Sequence, residues 1–131
     1  MRTIKFRAWD ESQKYMAYQG TPDLETLQSF IFHFGDKYLM QFTGLFDKNA
    51  NPVYEGDIIQ HHEYEFQNFY FTGEIMFSNG VFGVEWLRNK KDKSMVGSWG
   101  QLHNLKRLDD DTLTRYVVIG NIYENPKILM I

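Results

Sequence analysis

The stretch Met40–Ile59, MQFTGLFDKNANPVYEGDII, decides how the rest of the chain is laid out. Met40, Phe42 and Leu45 alternate with Gln41 and Thr43, a pattern that predicts a strand with one buried face. Asp47-Lys48-Asn49-Ala50 reads as a turn, with Asp favoured at its first position and Asn49 the non-glycine residue best suited to a positive φ. Pro52 lacks an N–H for a ladder, which places it at an edge or a strand start. Glu55-Gly56-Asp57 then hands the chain to a new strand at Ile58, Gly56 supplying a backbone conformation closed to residues with a Cβ. Gly44, Asp47, Asn49, Glu55, Gly56 and Asp57 are the expected structural turn residues.

On the N-terminal side, Thr3–Trp9 places Ile4, Phe6 and Ala8 on one face and Lys5, Arg7 and Trp9 on the other, the period of a half-buried strand. A polar turn over Asp10–Lys14 and a second strand over Tyr15–Tyr18 complete a hairpin. Thr21 then fits an N-cap, Pro22 a first helical position, and Asp23 and Glu25 the positive end of a helix dipole. Leu24, Leu27, Ile31 and Phe34 follow at helical spacing, which predicts a short capping helix over residues 22–33, stopped by Gly35. Phe30-Ile31-Phe32 suits a strand equally well.

On the C-terminal side, Asp57–His62 is a strand, and Phe66–Phe71 a loop or an irregular edge. Gly73–Phe77 and Val81–Leu87 flank Ser78-Asn79-Gly80, an Asn-Gly hairpin signal, and Gly83 inside the second run suggests a bulge or a close backbone approach. Arg88–Gly100 is a polar loop, Leu102, Leu105 and Leu108 fit one or two helical turns, and Arg115–Asn121 returns to strand before Pro126. Many short strands, tight turns and little helix predict a mainly β (α+β) fold. The expected form is a small, strongly bent sheet or an SH3-like, partly open barrel carrying the short helix as a cap.

Three blocks carry a resemblance. Ile4-Lys5-Phe6-Arg7-Ala8-Trp9-Asp10 opens the chain; Thr43-Gly44-Leu45, Asp47-Lys48-Asn49 and Tyr54-Glu55-Gly56-Asp57-Ile58 occupy its middle; Val118-Ile119-Gly120-Asn121-Ile122-Tyr123-Glu124-Asn125-Pro126 closes it. In this order they resemble the YopX family, small proteins encoded in bacteriophages and prophages. The resemblance runs end to end and implies a single YopX-like domain over residues 1–131, but it brings no established activity or catalytic residue. The chain departs from the family pattern where Ala50-Asn51-Pro52 replaces a glycine-containing turn, and where Ile59 is followed by His61-His62.

At 131 residues the chain has one domain's length, enough to bury about two thirds of its unfolded surface. It contains no cysteine, which excludes disulfides, thiolate metal sites and a cysteine nucleophile and accords with a reducing cytoplasm. The N-terminus has no apolar signal core, and no run approaches the roughly 18 apolar residues of a membrane span. A net charge of −3 weighs against general phosphate attraction. Aromatic residues make up 17% of the chain, more than a small monomer needs inside, and this favours a homo-oligomer.

The candidate sites compete with plain structural roles. His61, Glu63 and Glu65 share a strand face and suit zinc or iron, although an exposed polar edge explains them better. Glu55 and Asp57 flank a glycine and form either an acid/base pair or, more in keeping with a turn, a brace for backbone amides. Arg88, Lys90, Lys91 and Lys93 near Trp86 and Trp99 fit phosphate contact with base stacking, or a solvated loop tip beside core aromatics. Arg7 and Trp9 share a face and suit a cation–π pair or an interface anchor, against ordinary packing of Trp9. No phosphate-binding loop, nucleophile elbow, zinc-protease helix or dinucleotide fingerprint occurs. The expectation is a non-enzymatic, cytoplasmic phage or prophage accessory protein that needs no cofactor, self-associates and binds a phage or host protein. The alternatives are a nucleic-acid-binding module and, below it, a small metal-dependent enzyme.

Overall fold

The computed structural model describes residues 3–20, 26–63, 71–78, 80–87 and 115–129. Along the chain run β1 (Phe6–Asp10), β2 (Tyr15–Tyr18), α1 (Leu27–Phe34), β3 (Leu39–Phe46), β4 (Pro52–Tyr54), β5 (Asp57–His61), β6 (Thr72–Ser78), β7 (Val81–Trp86) and β8 (Tyr116–Asn121), then a 3-10 helix at Pro126–Leu129. They form two four-stranded antiparallel sheets, ordered β2-β1-β3-β4 and β7-β6-β5-β8. The mainly β class expected from the alternation holds, with one sheet strongly curled into a half-barrel. Among the described residues no helix is long and apolar enough to cross a membrane.

Each sheet has its own apolar cluster. Ala8 of β1 and Ala17 of β2 are small enough to let Phe30 of α1 sit fully buried on the first sheet, with Phe6, Phe34 and Leu39 around it. Val53, Ile59, Ile75 and Val84 form the second cluster, joined by Leu45, Trp86, Tyr116 and others. Val53 and Leu45 belong to β4 and β3 of the first sheet. The pairing of those strands shifts register between Phe42 and Phe46, and Gly44, at φ +88°, takes the left-handed conformation inside the bulge. This irregularity turns the chain so that it serves both cores.

β1 corrects the half-buried expectation. Its second face is covered as well: Arg7 is 3% exposed and Trp9 6%. Trp9 stacks on Tyr123, with ring centroids 6.0 Å apart and planes 11° from parallel. Arg7 and Trp9 therefore do not form the cation–π pair their spacing suggested; Arg7 lies over Tyr54, 4.7 Å from its ring centroid.

The helix also begins later than expected. Thr26 is extended at ψ 157° and its side chain accepts the Ser29 N–H, so Thr26 is the N-cap of α1; Thr21, Pro22, Asp23, Leu24 and Glu25 lie outside the described residues. Gly35 is the C-cap, its N–H reaching the Ile31 carbonyl at 2.6 Å. The hairpin of β6 and β7 has the short connection foreseen, Ser78 pairing with Val81 and Gly80 at φ +81°. Its register is unbroken past Gly83, so no bulge lies there; the tight spot is Gly73, where a Cβ would stand 2.4 Å from a Val84 methyl. The helical turns expected near Leu102, Leu105 and Leu108, and residues 66–70, lie outside the described residues.

The β3–β4 turn holds a second correction. Ala50, not Asn49, has the positive φ, at +65°. The Asp47 carboxylate fixes this: its Oδ1 accepts the N–H groups of both Asn49 and Asn51, at 2.9 and 2.8 Å, while the Ala50 N–H closes on the Asp47 carbonyl at 3.0 Å. With Asn49 tied into the turn, the left-handed residue must come one position later. A left-handed alanine costs roughly 1–2 kcal/mol, partly offset by the extra chain entropy a glycine would lose on folding. Ala50→Gly is therefore expected to raise stability by about 1 kcal/mol and Ala50→Val to lower it, both read from urea unfolding midpoints; an unchanged or lower midpoint for Ala50→Gly would contradict this reading of the turn.

Candidate functional site

Residues from β1, β4 and β5, some fifty positions apart, meet where the two sheets join. Tyr54 ends β4, Asp57 begins β5, and Glu55-Gly56 passes the chain between the sheets with Gly56 at φ +88°. Glu55 donates its N–H to Gln41 of the first sheet, and Gly56 donates its own to Ile75 of the second while accepting from Ile122. The positive φ favours glycine at position 56, and a Cβ there would stand 2.9 Å from the Met40 sulfur and push that side chain aside.

Asp57 is held by two hydrogen bonds, and Arg7 makes one more beside them. Its Oδ1 accepts from Arg7 Nη2 at 2.8 Å and its Oδ2 from the Tyr54 N–H at 2.7 Å, while the same Nη2 reaches the Glu55 carbonyl at 3.2 Å. Both charged side chains are 3% exposed. Burial raises the Asp57 carboxyl above its ordinary value of 3.8, more than Arg7 and the Tyr54 N–H lower it. Burial likewise lifts Glu55, and pushes Tyr54 up to about 12. The ion pair thus sits in a place that resists charge and is kept by geometry.

Two clefts flank this junction. One, of about 350 Å³, is lined by Arg7, Tyr18, Asn51, Asp57, Gly120 and Asn121 among others. The other, of about 200 Å³, is bordered by Lys37, Met40, Glu55, Glu74 and Tyr123. Glu55 and Asp57 therefore line different clefts, and Glu55 Oε1 accepts the Gln41 N–H at 3.3 Å. They do not converge as an acid/base pair.

A second buried carboxylate joins the sheets at the other end. Asp47 Oδ2 accepts the Val118 N–H of β8 at 2.9 Å, and the Lys48 N–H reaches the Tyr116 carbonyl at 2.9 Å. The β5–β8 register shifts between Ile58 and Ile59, Ile119 being the extra residue, and Asp47 takes up an N–H beside that bulge. Asn121 closes the chain end in the same manner, its Oδ1 accepting the N–H groups of Tyr123 and Glu124. Gly120 admits Asn125, whose side-chain oxygen would lie 2.5 Å from a Cβ there.

The remaining sequence candidates fall elsewhere. His61 ends β5 and stacks on His62, with centroids 5.0 Å apart; its Nδ1 takes the Glu63 N–H at 3.2 Å, and His62 Nδ1 lies 2.9 Å from the Arg115 carbonyl. Among the described residues no three His, Asp or Glu side chains gather as a metal set, and Glu65 lies outside those residues. Arg88, Lys90, Lys91, Lys93 and Trp99 also lie outside them. Trp86 packs on Tyr116, centroids 5.6 Å apart, at the border of the second core.

Two sheets joined by buried carboxylates, with turn residues spent on backbone amides, define a small mainly β protein with a braced interior. The chain belongs to the YopX family, whose model, described as YopX protein, matches residues 5–130. Among solved structures it is similar to the crystal structure of protein EF1440 from Enterococcus faecalis, with 25% identity, a TM-score of 0.58, and coverage of 98% of this chain and 99% of that one. No curated protein matches it.

Removing one partner of a buried ion pair strands the other charge, at a cost of about 3–5 kcal/mol. Asp57→Ala and Arg7→Met are each expected to lose this much in urea unfolding, and Arg7→Met/Asp57→Ala to lose less than the two singles combined. Additive losses would show that the pair does not couple the sheets. A raised carboxyl pKa also means that the folded state takes up its proton first as pH falls. The Asp57 contribution to stability should therefore grow as pH drops through its folded pKa and level off below 3.8. Carboxyl-detected NMR titration checks the direction; an Asp57 pKa below 3.8 would contradict it.

Proposed function

We propose that the protein is a non-enzymatic accessory protein of a phage or prophage, working in the host cytoplasm by contact and associating with itself. One contrast supports this reading. The buried acids Asp47 and Asp57 are occupied in bracing backbone, whereas seven large apolar side chains are exposed among the described residues. Phe32 is the extreme case, 85% exposed on α1 while Phe30, two positions earlier, is fully buried. A bare phenylalanine on a short helix is a candidate interface anchor, and aromatic side chains are enriched in such anchors.

Light scattering coupled to size exclusion tests the proposal. The expected result is a mass that is a multiple of 15.6 kDa, with Phe32→Ser moving the population toward monomer. Because Phe32 is exposed, the variant should change folding stability by no more than about 0.5 kcal/mol. A strict monomer at high concentration would refute self-association through this helix.

A further inference from the structure

One face of the first sheet carries a second, chemically different surface. Tyr18 of β2 stands directly opposite Arg7 of β1, and Phe42 of β3 opposite Tyr54 of β4, so all four side chains share one face. Tyr18 and Tyr54 lie three strand spacings apart, about 14 Å in a flat sheet. Curvature and the lean of both side chains bring their ring centroids to 5.6 Å. The row continues from Tyr54 to Phe42 at 5.5 Å and from Phe42 to Phe46 at 5.6 Å.

The two inner rings are buried and the two outer ones open. Tyr54 and Phe42 are 3% and 4% exposed, against 55% for Tyr18 and 49% for Phe46. Each inner ring carries a cation: Arg7 over Tyr54, and Lys5 over Phe42 with Nζ 4.7 Å from the centroid. Beside Tyr18 opens the cleft of about 350 Å³ that Arg7 and its partner Asp57, with Asn51, Pro52 and Asn121, help to line. Arg7 is 97% buried by complement of its 3% exposure, yet its Nε–H has no hydrogen-bond partner.

Open rings at both ends, the Lys5 cation between them, and a cleft alongside that holds the Arg7 Nε–H form a surface with a particular complement; the Arg7 charge itself is met by Asp57. An apolar protein partner would match the rings but leave the half-buried Lys5 ammonium without an acceptor, which is costly on burial. A chain of planar bases joined by anionic, acceptor-rich phosphates matches both, since bases stack on aromatic rings and cations follow the backbone. We propose that this face, from Tyr18 to Phe46, binds single-stranded nucleic acid: bases stack on the two exposed rings and Lys5 meets the backbone. The surface is separate from α1 and does not depend on self-association.

Fluorescence anisotropy with short labelled oligothymidylate and oligouridylate, using the full chain, tests the assignment. The wild type should bind at least one of the two. Tyr18→Ala and Phe46→Ala should each weaken binding about fivefold or more, the loss of one base stack, and Tyr18→Phe should restore it. Lys5→Glu should weaken binding and flatten its salt dependence, whereas Lys90→Glu/Lys91→Glu should leave it unchanged. Thermal unfolding of each variant separates loss of binding from loss of fold. No binding by the wild type, equal binding by Tyr18→Ala, or loss only in the Lys90/Lys91 variant would each overturn the proposal. So would a change confined to oligomeric mass, which would mark this face as a protein interface.

Discussion

An arginine on the first strand and an aspartate fifty residues later, joined at 2.8 Å with almost no exposure, hold the two sheets in one arrangement. Such a pair costs desolvation on both sides, and the raised Asp57 carboxyl is the residue of that cost. What the contact supplies is position. Arg7 can meet Asp57 and the Glu55 carbonyl only if β1 faces the β4–β5 junction, and Asp57 can take the Tyr54 N–H only if the chain turns through Gly56. One guanidinium thereby fixes register, crossing and turn together.

The same design recurs at each family block. Asp47 braces its own turn and reaches across to β8; Asn121 braces the closing turn while Gly120 gives Asn125 room. In every case a short polar side chain satisfies backbone N–H groups that irregular chain would otherwise leave unpaired, the condition for burying a turn at all. The three blocks that carry the resemblance to YopX proteins are therefore the places where the sheets are fastened to each other. Most of their buried residues are accounted for by architecture, and the exposed rings offered to partners, Phe32 of α1 and Tyr18 and Phe46 of the first sheet, lie outside them.

Much of this was legible in the chain itself. Alternation located most of the described strands, the Asn-Gly pair located the β6–β7 hairpin, and Gly35 located the end of α1. Local chemistry failed where a distant partner decided the outcome. Asn49 is the better left-handed residue in isolation, but the Asp47 carboxylate ties its amide and shifts that conformation to Ala50. Arg7 reads as the polar face of a half-buried strand because nothing near it in sequence announces Asp57. Glu55 and Asp57 look like a pair on paper, yet residues two apart around a positive-φ glycine can open to different clefts. A lone arginine between apolar residues, together with an aspartate after a turn glycine, was the available signal, and only topology joins the two.

Native-state hydrogen exchange tests most directly whether the junction makes the sheets one cooperative unit. If it does, slow amides of β1 and β3 and those of β5 and β6 will exchange with the same free energy of opening, and Arg7→Met will lower the first sheet's protection more than the second's. Wild-type protein in which the first sheet opens independently, well below the second, would contradict the account.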